Sequence, residues 1–311
     1  MSAPIRIGII GVGKIAKDQH VPALAGNPGF TVVGAVTRHE PPAGVQAFAD
    51  LDAMVAGVGG LDAVTICTPP VGRHVLVRAA LNHGLHVMLE KPPGASLSEL
   101  ADLPALAAER KVALFASWHT REAPAVAPAR AWLKDKHIGS VTIDWREDVR
   151  RWHPGQAWIW EPGGLGVFDP GSNALSAATA ILPSPLLVTA ADLSFPANRA
   201  TPIAVALKMT DLLGTPVTAT FDWRETGVQV WNIAVETDAG PLLMSQGGGL
   251  LDIGGQRVGT GPAAEYPGLY RHFAELVAAR SVEFDLSPFR LIADACTLGR
   301  RIEVAAFDDP G

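Results

Sequence analysis

The sequence predicts an α/β protein with two domains. The first is a doubly wound parallel sheet, and the second is an α/β domain with a large mixed, mainly antiparallel sheet. Three observations lead to this fold class. Apolar strands alternate with helical patterns up to about residue 120, a glycine-rich turn follows the first strand, and the later strands alternate in polarity. The 311 residues exceed what one compact core usually takes, so we expect domains at 1–120 and 121–311.

The first domain is predicted from five short apolar runs separated by helical patterns. The runs are Ile5–Ile10, Phe30–Val36, Ala63–Cys67, His86–Leu89 and Ala113–Ala116. The helical patterns are Ile15–Ala25, Leu51–Ala56, His74–His83 and Leu97–Arg110. Strands that are apolar throughout are typical of a parallel sheet covered by helices on both faces.

The pattern changes after Thr120 to strands with one polar face, which are typical of an antiparallel or mixed sheet. The predicted strands are Ser140–Val149, Leu187–Leu193, Ile203–Thr210, Val217–Trp223, Val230–Thr237 and Pro241–Ser245. The predicted helices are Ala125–Lys134, Leu175–Ile181, Tyr266–Ala279 and Pro288–Ala305.

Composition argues against several classes of protein. The 31 acidic and 25 basic residues leave a net charge of −6, which disfavours nucleic acid and anionic membranes as partners. No run reaches the roughly 18 apolar residues of a membrane helix, and the N-terminus does not resemble a signal peptide. Cys67 and Cys296 lie in apolar stretches without metal-ligand spacing, so we expect two buried reduced thiols and no metal. A cytoplasmic protein fits these observations.

The glycine turn Gly11-Val12-Gly13-Lys14-Ile15-Ala16 has the G-x-G-x-x-A spacing of a Rossmann dinucleotide site. Gly11 permits a tight turn, Gly13 lets a pyrophosphate approach the backbone, and Ala16 lets the helix pack closely on the strand. The helix N-terminus then offers free N–H groups to the phosphates. The predicted contacts are Gly11, Gly13, Lys14 and Ile15.

The end of the second strand bears on the choice between NAD and NADP. NAD enzymes usually carry a carboxylate there for the ribose 2′-hydroxyl, but this chain has Thr37 and Arg38. Thr37 can hydrogen-bond a 2′-phosphate and Arg38 can pair with it. We therefore expect NADP to be preferred and NAD to be accepted. Alternatively, Arg38 is only a surface charge and both cofactors serve equally.

A lysine follows the fourth strand in Glu90-Lys91-Pro92-Pro93. Ligands in open α/β sheets bind at the carboxyl ends of the strands, so Lys91 is predicted to lie near the nicotinamide. Such a lysine can exchange a proton with a substrate hydroxyl.

These motifs, with Thr68-Pro69-Pro70 and His74, resemble the glucose–fructose oxidoreductase / inositol dehydrogenase (Gfo/Idh/MocA) family. The resemblance implies a Rossmann domain, an α/β domain whose sheet often forms a dimer interface, and NAD(P)-dependent chemistry on sugars or cyclic polyols. It also implies a cis Lys91–Pro92 bond. The further cofactor contacts that it implies are Thr68, Pro69, His74, Glu90 and Lys91.

The third family motif is usually an Asp followed four residues later by a His. Here Asp169 is followed by Asn173, which cannot act as an acid or base at neutral pH but can orient a hydroxyl. Proton transfer would then fall to Lys91 and Asp169. If Asp169 begins a helix, Asn173 projects from the same face, although Asp169 could also be a plain helix cap.

Residues 145–173 carry four of the eight tryptophans among carboxylates, arginines and a histidine, a combination typical of sugar sites. Gly163–Gly166 is expected to bring the backbone close to ligand. The stretches Asp148–Gln156, Trp158–Gly164 and Phe168–Asn173 resemble family members that oxidise L-arabinose or D-galactose at C1. The predicted substrate contacts are His119, Glu147, Trp152, His153, Asp169, Asn173 and Trp231. From the residues alone, the other histidines considered are treated as structural: His74, His83, His86, His137 and His272.

The predicted activity is oxidation of the anomeric carbon of an aldose to its lactone, with L-arabinose slightly ahead of D-galactose. Two alternatives remain open: another enzyme of the family, such as an inositol dehydrogenase, or a non-catalytic regulator that senses sugar and nucleotide. Retained Lys91 and Asp169 argue against the regulator.

Overall fold

The computed structural model describes residues 3–261 and 264–308. Its contacts divide the chain into two compact units: the chain up to His119 together with Glu265–Leu286, and the remainder. The sequence interpretation assigned every residue after 120 to the second domain. That assignment is corrected for Glu265–Leu286, because the helix in this segment buries Tyr270 and Phe273 in the core around Ile7.

The sheet of the first unit is parallel throughout, as predicted, and within the described residues it has seven strands. In chain order they are β1 Ile5–Ile10, β2 Phe30–Val36, β3 Ala47–Phe48, β4 Ala63–Ile66, β5 His86–Glu90, β6 Leu114–Ser117 and β15 Val282–Glu283. The spatial order is β15-β6-β5-β4-β1-β2-β3. Strand β4 is therefore central with β1 beside it, and the turns after β1, β4 and β5 emerge at one edge of the sheet.

The helices of the first unit are α1 Val21–Ala25, α2 Leu51–Gly57, α3 Arg73–Asn82, α4 Leu103–Arg110 and α8 Glu265–Ala279. Two differ from the predicted helices. The segment Ala16–His20, which leads into α1, is a π-helical turn. The predicted helix Leu97–Arg110 is a 3₁₀ turn at Ser98–Leu100 followed by α4, since Pro104 suits the first turn of a helix and not its interior.

The second unit is built on a mixed, mainly antiparallel sheet, as predicted, with nine strands in the described chain. They are β7 Ile138–Arg146, β8 Leu186–Pro196, β9 Ala204–Asp211, β10 Pro216–Asp222, β11 Val230–Thr237, β12 Gly240–Ser245, β13 Leu250–Ile253, β14 Gln256–Val258 and β16 Arg300–Val304. The order is β14-β13-β12-β11-β7-β10-β9-β8-β16, with parallel pairs at β7/β10 and β8/β16.

The helices of the second unit are α5 Val126–Leu133, α6 Val149–Trp152, α7 Phe168–Ile181 and α9 Ser287–Leu298. Helix α7 begins seven residues before the predicted Leu175. The predicted helix Pro288–Ala305 is wrong in its second half, because the chain leaves α9 at Gly299 and continues as β16. A Cβ at Gly299 would lie 2.3 Å from the carbonyl oxygen of Ala295, so this exit requires glycine.

The two cysteines differ from each other. Cys67 is buried, as predicted, but Cys296 is exposed, which corrects the expectation of two buried thiols. Position 296 lies on α9 beyond that helix's buried residues. In the described ranges, no helix has the length and apolar character required to cross a membrane.

Candidate active site

The glycine turn forms an open cradle at the carboxyl end of β1. Gly11 has φ +90°, and a Cβ there would lie 2.9 Å from Thr68 Cγ2 and 3.0 Å from Thr68 N. A Cβ on Gly13 would meet nothing within 4 Å. The buried Thr68 Oγ1 has no hydrogen-bond partner among the described residues. An open approach at Gly13 and an unsatisfied hydroxyl fit a dinucleotide pyrophosphate, whose oxygens accept hydrogen bonds.

The other predicted cofactor residues surround this cradle. Lys14 and Ile15 are exposed at the start of the helix, and Lys14 pairs with Asp18. Thr37 Oγ1 accepts a hydrogen bond from His39 N at 2.9 Å, while Arg38 is exposed. Next to them lies a cavity of about 240 Å³ with six lining residues: Val12, Lys17, Val21, Glu40, Pro41 and Pro42.

The two glycines lead to opposite expectations when each is replaced by alanine. Gly13→Ala should leave the thermal unfolding midpoint unchanged, because its methyl group meets no protein atom, yet raise the Kd for NADP at least roughly tenfold. Gly11→Ala should lower the midpoint, because a Cβ is strained at φ +90° and crowds Thr68. Calorimetry for Kd and thermal scanning for stability check both. Unchanged NADP binding in Gly13→Ala would contradict the assignment of the glycine turn as the pyrophosphate site.

The turn after β5 holds Lys91 between two buried charged groups. The Lys91–Pro92 bond is cis, as the family resemblance implies. Glu90 Oε2 accepts a hydrogen bond from the backbone N–H of Lys91 at 2.8 Å. From the other side, the buried guanidinium of Arg73 donates to the carbonyl oxygens of Thr68, Glu90 and Pro92. The backbone on both sides of Lys91 is therefore tied to neighbouring elements.

Glu90 is only 3 % exposed, and its carboxylate is held by protein groups. Its Oε1 accepts hydrogen bonds from His20 Nε2 at 2.8 Å and from the Tyr266 hydroxyl at 2.7 Å. Burial by itself would raise the pKa of Glu90, but the hydrogen bond and charge of His20 lower it to about 2. Burial opposes the charge of His20, yet the neighbouring Cys67, Tyr270 and Glu90 raise the pKa of His20 well above its usual value.

Two histidines predicted as ligand contacts interact with carboxylates of the first unit. His119 Nδ1 pairs with Glu265 Oε2, and its ring stacks on Tyr266 with centroids 5.5 Å apart. His74 lies on α3, and its Nδ1 is 3.0 Å from Oε2 of Glu99 in the 3₁₀ turn Ser98–Leu100. Pro69 is exposed in the turn after β4, beside Thr68.

Asp169 lies in the first turn of α7, where the free N–H groups of a helix stabilise negative charge. The cap position is Val167, so Asp169 is not the plain helix cap that was considered as an alternative. The carboxylate is 4 % exposed, and Oδ2 lies 3.5 Å from His153 Nε2. Asn173 follows one turn later in α7 and is half-buried. The second unit thus brings Asp169 and His153 together, and Asn173 lies four residues after Asp169 on the same helix.

Glu147 is the centre of an aromatic cluster in the same unit. Its Oε2 accepts a hydrogen bond from Trp231 Nε1 at 2.8 Å, and its Oε1 accepts one from Trp223 Nε1 at 3.3 Å. The rings of Trp152 and Trp231 meet edge to face at 5.8 Å, and His153 lies 5.2 Å from Trp223. Trp152 is 40 % exposed. Three predicted substrate residues, Trp152 on α6, Glu147 directly after β7 and Trp231 on β11, therefore belong to one cluster. Trp223 is an addition that the sequence did not reveal.

The glycines before Asp169 were expected to bring the backbone close to ligand, but two of them instead lie against protein backbone. Gly166 has φ +55°, and a Cβ there would lie 2.3 Å from the carbonyl oxygen of Pro202. A Cβ on Gly164 would lie 2.3 Å from the carbonyl oxygen of Trp158. The close approach at Gly164 and Gly166 is thus to protein backbone.

Comparison with known proteins identifies the relatives of this arrangement. A sequence profile described as "Oxidoreductase family, NAD-binding Rossmann fold" (GFO_IDH_MocA) matches residues 5–117. The chain is 46 % identical to a galactose 1-dehydrogenase of Pseudomonas fluorescens over 307 residues, 98 % of this chain and 99 % of the relative. The chain belongs to the Gfo/Idh/MocA family. It is therefore an oxidoreductase with an NAD-binding Rossmann unit.

Two solved structures extend the likeness. A D-galactose-1-dehydrogenase protein from Rhizobium etli has 50 % identity and a TM-score of 0.95, with 99 % of each chain covered. A 3-ketoreductase from Actinomadura kijaniata, solved with NADP and TDP-benzene, has 21 % identity and a TM-score of 0.82, with 97 % of this chain and 99 % of that chain covered. The second likeness concerns the fold alone. The predicted family and fold class are confirmed.

Proposed function

We propose that the protein is an NAD(P)-dependent aldose 1-dehydrogenase that oxidises D-galactose, and L-arabinose with it, to the aldonolactone. The observation that carries this proposal is the near full-length similarity to two proteins named galactose 1-dehydrogenase. The sequence interpretation ranked L-arabinose first, but the names of these relatives favour D-galactose. The two sugars share their configuration at C2 to C4 and differ by a hydroxymethyl group, so one pocket can admit both.

The residues have distinct proposed roles in this reaction. The bound cofactor supplies a hydride acceptor for C1 of the sugar. Lys91 and Asp169 are the proposed acceptors of the C1 hydroxyl proton, and Asn173 orients a neighbouring hydroxyl. The Glu147 carboxylate and His153 are suited to bind hydroxyls, and the faces of Trp152 and Trp231 are suited to the apolar C–H side of a pyranose.

A spectrophotometric screen at 340 nm tests the proposal. We expect absorbance to rise with D-galactose and L-arabinose, and much less with D-glucose, whose C4 hydroxyl has the opposite orientation. Oxidation of myo-inositol with no aldose turnover would favour another enzyme of the family. No turnover with any sugar, despite measurable NADP binding, would favour the sensing regulator.

We propose NADP as the preferred cofactor because Thr37 and Arg38 follow β2 where a carboxylate would select NAD. Arg38→Ala should raise KM for NADP roughly 10- to 100-fold, the scale of a lost hydrogen bond to a charged group. KM for NAD, which lacks the 2′-phosphate, is the internal control and should stay within about twofold. Equal changes for both cofactors would show that Arg38 does not recognise the phosphate.

We also propose a cytoplasmic homodimer formed through the open face of the second unit's sheet. The proposal rests on the family resemblance, which implies that this sheet often forms a dimer interface, and the exposed face carries Thr142, Lys208 and Thr218 on three neighbouring strands. Light scattering should then give twice the chain mass of 32.6 kDa. A monomeric mass at micromolar concentration would reject the dimer.

A further inference from the structure

A buried polar cluster in the first unit lies directly behind the lysine turn. It joins His20 at the end of the π-helical turn, Glu90 at the end of β5, and Tyr266 and Tyr270 one turn apart on α8. Each of these four side chains is at most 5 % exposed. The described Rossmann motif uses none of His20, Tyr266 and Tyr270, so the cluster calls for an explanation of its own.

The two oxygens of Glu90 have different partners. Oε1 is held by His20 Nε2 and the Tyr266 hydroxyl, whereas Oε2 accepts the backbone N–H of Lys91. A carboxylate that is buried away from water destabilises the fold unless it is paired and hydrogen-bonded. The surrounding donors satisfy it, so the carboxylate can act as a rigid bracket for the turn that follows.

His20 connects this bracket to the cofactor helix. Nδ1 of His20 lies 2.7 Å from the Tyr270 hydroxyl and 3.4 Å from Thr65 Oγ1, so the ring is held on both sides. The π-helical turn Ala16–His20 begins at the glycine cradle and ends at this ring. Single π-helical turns within helices occur frequently at functional sites. One side chain therefore joins the helix behind the pyrophosphate cradle to the carboxylate behind Lys91.

We propose that Glu90 is a positioning residue for Lys91, held in place by Tyr266 and His20. The role rests on the proposed function, in which Lys91 touches the substrate. Glu90 binds the Lys91 backbone N–H, and Arg73 binds the carbonyl oxygens of Glu90 and Pro92. Both ends of the turn are thereby fixed, and a misplacement of about 1 Å at a reacting group can lower the rate roughly 10²-fold.

Two matched substitutions on α8 test the proposal. Tyr266→Phe removes a donor to Glu90, and Tyr270→Phe removes a partner of His20 that does not contact Glu90. Each deletes one buried hydroxyl, so similar decreases in the urea midpoint are expected. We expect Tyr266→Phe to lower kcat for D-galactose roughly ten- to hundredfold with KM for NADP nearly unchanged. Tyr270→Phe should lower kcat clearly less. Equal kcat values for both variants would overturn the proposal.

A double-mutant cycle separates this role from the proposed function. In a Lys91→Ala background, Tyr266→Phe should cause no further loss of kcat, because no lysine remains to be positioned. A full additional loss there would overturn the positioning role while leaving the function intact. If Lys91→Ala alone keeps wild-type turnover of D-galactose, the proposed catalytic role of Lys91 fails and the positioning role fails with it. Absence of turnover with any sugar in the wild-type protein would instead reject the proposed function. Wild-type kcat in Tyr266→Phe, together with a large loss in Lys91→Ala, rejects only the positioning role.

Discussion

Lys91→Ala is expected to lower kcat for D-galactose oxidation by roughly 10²–10⁴-fold, the range associated with loss of a general acid or base. The substitution keeps the hydrogen bond from the backbone N–H of residue 91 to Glu90 Oε2, because alanine retains that N–H group. We therefore expect little change in the thermal midpoint. Steady-state kinetics with saturating NADP and calorimetric NADP binding measure the two effects separately.

The exposed Lys134 on the second unit supplies a matched control for charge. Lys134→Ala removes the same charge from the same chain and should keep wild-type kcat. Near-normal turnover in Lys91→Ala would remove the lysine from the mechanism. If the substitution raised KM for NADP and left kcat unchanged, Lys91 would be a cofactor contact and not a proton acceptor.

Asp169→Asn is the second substitution for which we expect a large effect, a decrease in kcat of roughly 10²–10⁴-fold. Asparagine keeps the size of the side chain and suits the first turn of α7, but it cannot accept a proton at neutral pH. The cap position of α7 is Val167, so the substitution does not change the residue that caps the helix. Circular dichroism should therefore show an unchanged fold while the activity is lost.

Asp192→Asn is the control for Asp169. Asp192 forms an exposed pair with Arg300, and such pairs contribute little to stability or function. Its variant should behave as wild type in the assay. If Asp169→Asn also keeps its kcat, the carboxylate only accompanies His153 and the proton must pass to Lys91 alone.

The spacing of apolar residues along the chain was sufficient to predict most strands of both sheets. The uniformly apolar runs became parallel strands, and the alternating runs became the mixed sheet. It failed for short or edge strands such as Val282–Glu283 and Gln256–Val258, which carry too few residues to show a period. It also failed for Arg300–Val304, where the helical pattern continues across Gly299 but pairing with β8 decides the outcome.

Local motifs identified the glycine cradle, Lys91 and Asp169, because a short segment carries each of these features. They did not identify His20, Arg73 or the partners of Glu90. One signal was present: the two tyrosines of the chain stand four residues apart on the helix predicted at Tyr266–Ala279. Polar rings on the buried side of a helix require hydrogen-bond partners, and this could have directed attention to α8.

The sequence by itself determined the fold class, the dinucleotide turn and the family, since each depends on residues adjacent in the chain or on their periodicity. Only the tertiary structure decided that α8 belongs with the first unit and that Glu90 faces the protein. It also decided that Trp223 joins Trp231 on Glu147. These relations join residues separated by 70 to 250 positions in the chain. Burial of a charge is decided by such distant partners, because its cost depends on which donors surround it once the chain has folded.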